Sequence, residues 1–390
     1  MTGVYLALLI LSGGIELGVA LALCAIAPRL RQRVRSPDPA MRTRAPFGLA
    51  DLLTALLMFV PLYTLKLFVL LTVGRSLFYG VSVVYVSVFV VAPLLGLVAL
   101  SCGLKGTATR SVGWIAVATL ALPPIGVYAT FVEPNTLVVE RVEVPVPAKH
   151  LAAPLRVAVL ADIQSRRVKP HHVEAIAAAM AFEPHLILLP GDLIQAHSDE
   201  DYDQALPEFQ ELLRPLAAPL GAYFVPGNTD HLQRVGRAFD GTNVHMLANE
   251  TVELQHAGRS LLIGGTDFYP HAPSVRSFAR QFEQRTGSEL RILLTHYPDV
   301  ALHLASPTRV DLVVAGHTHG GQVQIPFFGP PITLSRVPRR VAAGGLHDLD
   351  GRRIYVSRGL GLEGGLAPPI RFLAPPELSL LTLVPDSSLR

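Results

Sequence analysis

Cysteine is almost absent from this 390-residue chain: Cys24 and Cys102 are the only two. Neither lies beyond position 132, so the C-terminal part can hold no disulfide framework and no thiolate metal site. Metal ligands there would have to be His, Asp, Asn or Gln. Charge is scarce as well. Only 16% of residues are charged against 50% hydrophobic, which is too apolar for one ordinary soluble domain. The formal net charge of +3 is not gathered into a basic helix or an aromatic-interleaved patch, which excludes nucleic acid as the partner.

The apolar excess is confined to the beginning. Four runs, at about 4–28, 49–73, 77–101 and 112–132, each have roughly the 20 residues that a helix needs to cross a bilayer core. A buried core helix or a signal peptide would explain one such run, but the first lacks a basic leader and is followed by three more. Residues 1–132 are therefore expected to form a transmembrane region and 133–390 a globular domain. Arg29, Arg31, Arg33, Arg35, Arg42 and Arg44, opposed only by Asp38, mark the first inter-span loop as cytoplasmic, and Lys105 and Arg110 do the same for the third. An even number of spans then places the C-terminal domain outside the cytoplasm, in an integral protein of the inner or cell membrane. The same arginine loop accounts for much of the positive charge and suits anionic lipid. Glu16 and Lys66 fall within spans and should face a bundle interior, as a structural pair or on a proton path.

From 136 onwards, short β-branched and leucine runs alternate with helical stretches. Strands are expected at 137–144, 155–160, 186–189, 222–225, 261–263, 292–294, 312–314, 354–356 and 378–383. Helices are expected at 171–181 and 204–213. This alternation argues for an α/β layered domain. Polar residues follow the strand ends, which is where open α/β sheets build their sites.

Five segments supply them: Asp162-Ile163-Gln164, Gly191-Asp192, Gly227-Asn228-Thr229-Asp230, His296, and Gly316-His317-Thr318-His319. Histidines at i and i+2 on an extended segment point to one side, and the flanking glycines admit a close ligand. Carboxylate, amide and imidazole donors together suit Mn, Fe or Zn better than Mg or Ca alone. Two such ions about 3.5–4 Å apart, sharing a carboxylate, can clamp a phosphoryl group and activate a water.

In order and spacing these segments resemble the calcineurin-like metallophosphoesterases, whose pattern is D-x-H, G-D, G-N-H-[DE], a lone H and G-H-x-H. They are most similar to the membrane-anchored bacterial branch with N-terminal transmembrane helices. Ser357-Arg358-Gly359-Leu360-Gly361 and Pro375-Pro376-Glu377 also look like that branch. The resemblance covers roughly 155–385. It implies a two-sheet sandwich flanked by helices and two divalent metal ions at the strand ends. One ion would take Asp162, residue 164, Asp192 and His319. The other would share Asp192 and add Asn228, His296 and His317.

Two positions depart from that pattern. Gln164 stands where the family has a histidine ligand, and a neutral amide is the weaker donor. Thr229 stands where the family has the histidine that lies against the substrate, and threonine is no general acid near neutral pH. His231, with Asp230 beside it, is a candidate replacement; a different group, a good leaving group or weak catalysis are the alternatives. Arg166 and Arg167, with Lys169, His171 and His172, form a basic cluster that could hold a phosphate or an anionic lipid headgroup, or could be a solvated loop.

The expected function is a membrane-anchored, metal-dependent phosphoesterase acting on a phosphomono- or phosphodiester, with a lipid-linked substrate as one candidate. The alternative is a sensor of the same fold that binds metal or phosphate and turns over weakly or not at all. A transport role for the spans ranks last, since they lack broken helices at matched positions.

Overall fold

The computed structural model of the chain describes residues 77–104 and 117–389. The chain divides into two units, one reaching to Tyr128 with Leu366–Pro368, the other comprising Ala129–Gly365 and Pro369–Arg390.

In the first unit, α1 (Leu77–Val86), a π-helical stretch (Ser87–Val91) and α2 (Ala92–Leu104) run on from one another, and α3 spans Leu122–Val127. Among the described residues, Leu77–Val98 is the one helix that could cross a membrane, judged by length and composition. The expected spans at 4–28 and 49–73 lie outside the described residues, as does the start of the one at 112–132.

The second unit carries twelve strands. They are β1 (Val138–Pro147), β2 (Leu155–Val159), β3 (Leu186–Leu189), β4 (Ala222–Phe224), β5 (Val244–Met246) and β6 (Glu250–His256), then β7 (Arg259–Gly265), β8 (Leu290–Leu294), β9 (Leu312–Ala315), β10 (Gly345–Asp348), β11 (Arg353–Val356) and β12 (Glu377–Asp386). Two six-stranded mixed sheets result, in the orders β1-β12-β2-β3-β4-β5 and β10-β11-β9-β8-β7-β6.

Strand periodicity explains how they pack. Along β2 and β3, Leu155, Val157, Val159, Leu186 and Leu188 point inward and meet Leu261, Ile263, Leu290, Ile292, Leu294, Leu312 and Val314 of the other sheet. The intervening Ala158, Ile187 and Leu189 face outward and are covered by helices α4 (Pro170–Ala181) and α5 (Asp199–Leu213). On the opposite face, Leu262, Leu293 and Val313 pack against α7 (Pro273–Gln284); the short α6 (Leu232–Val235) lies between β4 and β5. Both faces of the central strands are therefore largely apolar, which is why these strands read as hydrophobic runs, interrupted by Arg156 in β2 and Arg291 in β8.

Helix α5 begins earlier than the expected 204. Ser198 caps it by accepting the Asp201 N–H at 3.1 Å, and Asp199, Glu200 and Asp201 favour the positive end of the helix dipole. Strands β5, β6 and β10 and helix α7 were not anticipated. β6 is an edge strand with no fully buried residue, so it lacks an apolar run to read.

Candidate metal centre

Strands β2, β3 and β4 are parallel neighbours in one sheet, and β7, β8 and β9 are parallel neighbours in the other. Their C-terminal ends deliver Asp162, Asp192 and Asn228 from the first sheet and His296, His317 and His319 from the second. Ligand atoms of Asp162, Asp192 and His296 all lie within 4.8 Å of one another. The backbone N–H of His317 donates to both carboxylate oxygens of Asp162, at 3.0 and 3.1 Å, which ties the two sheet edges together.

The backbone bends sharply at this edge. Asp162 (φ 46°), Gln164 (22°), Asp192 (56°), His317 (71°) and His319 (49°) are all non-glycine residues at positive φ. Such conformations cost about 1–3 kcal/mol each and persist where surrounding structure enforces them. Five of the thirteen such residues among those described thus fall at expected ligand positions.

Around Asp192 the donors are arranged for a cation. His296 Nε2 lies 3.5 Å from Asp192 Oδ2, 3.1 Å from Asn228 Oδ1 and 3.2 Å from His317 Nδ1. The far nitrogen of each ring faces a main-chain carbonyl: His296 Nδ1 to Pro190 O at 2.7 Å, and His317 Nε2 to Leu334 O at 3.3 Å. A carbonyl only accepts, so each ring carries its proton outward and turns a lone pair inward. Lone pairs from two imidazoles, one amide oxygen and one carboxylate thus converge, and this donor set fits a divalent ion of the Mn, Fe or Zn type.

Burial makes the electrostatics consistent with that. Desolvation pushes His296 down to about 4 and His317 down to about 3, so both rings are neutral and ligand-ready. It raises Asp162, with Asp192 adding to the effect, and it pushes Asp192 up to about 6. A cation held among these carboxyl groups would favour their ionised forms.

The remaining expected site residues fall in different places. Gln164 and His319 are buried and meet each other, with His319 Nε2 at 2.6 Å from Gln164 Oε1. Thr229 gives its backbone N–H to Asp192 Oδ1 at 2.8 Å. Asp230 is buried and accepts N–H groups from Asp192, Leu193 and Gly227; burial, then Asp192, push it up to about 7. It is a brace for the turns rather than a partner of His231, which is exposed at the start of α6. Arg166 and Arg167 are exposed and engaged with acids of α5, Arg166 with Asp201 at 3.2 Å and Arg167 Nε with Glu208 at 2.9 Å.

Three contributors were not singled out from the sequence. Arg371 is fully buried and reaches His319 Nδ1 at 3.3 Å. Glu363, raised to about 7 by burial and then Asp192, hydrogen-bonds Gln164. Tyr297 donates its hydroxyl to Asn228 Oδ1 at 3.2 Å and lays its ring against His317. A signal for the first two existed: they are the only charges in the 17 residues from Leu360 to Pro376.

Comparison with known proteins bears on the same residues. A family model described as calcineurin-like phosphoesterase matches residues 155–321. The uncharacterized metallophosphoesterase YkuE of Bacillus subtilis is 33% identical over 207 residues, covering 52% of this chain and 68% of its own. The phosphodiesterase YaeI of Escherichia coli is 31% identical over 248 residues, covering 60% and 84%. The chain belongs to the calcineurin-like phosphoesterase family. In this metallophosphoesterase the strand-end donors, with Asp162, Asp192 and His296 at their centre, therefore form a candidate metal centre.

Proposed function

We propose that this chain is a membrane-anchored, metal-dependent phosphoesterase. The observation that carries the reading is the convergence of Asp192 Oδ2, Asn228 Oδ1, His296 Nε2 and His317 Nδ1. A divalent ion bound there supplies Lewis-acid polarisation of a phosphoryl oxygen and makes water more acidic. The protein's own groups hold that centre in register. Asp230 fixes the turns that carry Asp192 and Gly227, and Tyr297 orients the Asn228 amide. With Thr229 in place of the family histidine, Glu363, a half-buried carboxyl pushed up to about 7 by burial and then Asp192 and hydrogen-bonded to Gln164, is the candidate proton donor to the leaving oxygen.

The apolar runs before residue 133 support membrane anchoring, and the placement of basic residues in the loops supports a C-terminal domain outside the cytoplasm. A lipid-linked substrate is favoured by the segment after His319. Residues 320–346 contain Arg336, Arg339 and Arg340 and no acidic residue, while Ile325, Phe327, Phe328 and Leu334 are exposed. Arg339 lies over the Phe328 ring at 4.1 Å, and the carbonyl of Leu334 touches His317. Aromatic side chains among arginines are what an anionic interface binds.

The test is hydrolysis by the purified full-length chain, stripped of metal and reloaded with Mn, Fe or Zn. Substrates are p-nitrophenyl phosphate, its bis-ester and a phosphatidic acid dispersed in detergent. Metal-dependent turnover of at least one is expected. The second reading, a binding protein that has lost the reaction, is motivated by Gln164 and Thr229. Bound metal without turnover of any ester would favour it.

A further inference from the structure

We infer that this chain holds one divalent ion rather than two, the first family position being closed by a hydrogen-bonded chain from Arg371 through His319 and Gln164 to Gln195. This rests on the metal-dependent reading above and narrows it.

The location of one proton decides the matter. A neutral imidazole has one N–H and one lone pair, and a metal takes the lone pair. In His296 and His317 a backbone carbonyl holds the proton on the far nitrogen, so the near nitrogen is free to bind. His319 is the reverse. Its far nitrogen, Nδ1, faces Arg371 Nη2 at 3.3 Å, and a guanidinium can only donate. A ring N–H would face that donor unfavourably, so Nδ1 turns its lone pair to Arg371, and the single proton of the buried ring sits on Nε2, the atom turned towards the site. There it is given to Gln164 Oε1 at 2.6 Å. Gln164 passes the sense on, donating from Nε2 to Gln195 Oε1 at 2.8 Å. Each member donates to the next, and no lone pair of His319 remains for an ion.

Arg371 cannot turn away to release it. The side chain is fully buried; Nη1 donates to the carbonyl of Ala374 (2.7 Å), and the two hydrogens of Nη2 are shared among the carbonyls of Gly361 (2.6 Å), Arg358 (2.9 Å) and Gly359 (3.0 Å) and His319 Nδ1. Its fixed positive charge also favours the ionised form of Asp162, although burial and then Asp192 still hold that carboxyl well above its usual range. A glutamine at 164 fits this arrangement because its carbonyl oxygen accepts the His319 proton, which a second metal-binding imidazole would not do.

The experiment is to strip the full-length chain of metal, saturate it with Mn²⁺, remove free ions, and count bound Mn per chain, with an electron paramagnetic resonance spectrum of the same sample. One Mn per chain with an uncoupled six-line signal is expected. Two Mn with an exchange-coupled signal would overturn the inference and leave the phosphoesterase reading standing. No bound Mn would sink that reading along with it. As a second measurement, Gln164→Ala should leave Mn affinity unchanged; a loss of about tenfold or more, the size of a lost contact around a metal, would return residue 164 to the ligand set.

Discussion

Asp230 Oδ2 lies 2.7 Å from the backbone nitrogen of Asp192 and accepts its N–H, while also accepting that of Gly227 at 2.8 Å. One buried carboxylate thus joins the turn after β3 to the turn after β4, and the Asp192 side chain projects from the point where they meet. Asp230→Asn keeps the volume but sets an amide NH₂ against backbone donors. Mn affinity should fall about 10–100-fold, as when an outer partner of a metal ligand is lost. Stability should fall by about 1–3 kcal/mol from the unsatisfied groups. Metal titration and thermal unfolding of the same preparation check both.

Gly227 is a steric requirement of the same junction. A Cβ there would stand 2.1 Å from Asp192 Oδ1 and 2.6 Å from its nitrogen. Gly227→Ala should push the Asp192 carboxylate out of line. The expected result is a loss of Mn binding of at least about tenfold with a destabilisation of about 1–3 kcal/mol, the usual range for overpacking. Titration against Mn with circular dichroism as the fold control measures it.

His172 at the start of α4 gives a pH dependence away from the metal. It is fully buried, its Nδ1 accepts the Lys169 N–H at 3.2 Å, and desolvation, then His171 and Lys169, push it down to about 2 from 6.5. The unfolded chain therefore takes up a proton below pH 6.5 that the folded chain refuses. Stability from this group is present above pH 6.5 and is lost as pH falls, by about 1.4 kcal/mol per unit. His172→Gln should flatten the slope of unfolding free energy between pH 6.5 and about 4, read by denaturant titration.

Glu363 offers a test of proton donation. Glu363→Gln should lower kcat by about 10²-fold, within the range of general acid catalysis, while bound metal is unchanged. His231→Ala, on an exposed position, should alter neither. Turnover and elemental analysis of both variants, side by side, decide between them.

Much of the sheet framework could be read because β2, β3, β8 and β9 are buried on both faces, with Arg156 and Arg291 the only polar residues in the four runs. The candidate ligand positions stood out for a related reason: each follows such a run directly, so a lone Asp192 or His296 is conspicuous. Strand β6, with one face towards solvent, had no such contrast. Arg371 and Glu363 were illegible in a different way. Their isolation as the only charges between Leu360 and Pro376 was a signal, but it did not say where they go, because the loop that carries them folds back beneath His319 and Gln164 from over 40 residues downstream of His319. The pairing of Arg166 and Arg167 with α5 was hidden for the same reason, since a basic cluster in sequence does not reveal which acids will face it.

The most direct test of the metal centre is a crystal structure of the zinc-loaded chain with anomalous diffraction collected at the zinc edge. The account requires a peak enclosed by Asp192, Asn228, His296 Nε2 and His317 Nδ1, at about 2.0–2.2 Å from each donor. A zinc peak bound elsewhere, or Asp192 and His296 turned away from it, would contradict the account.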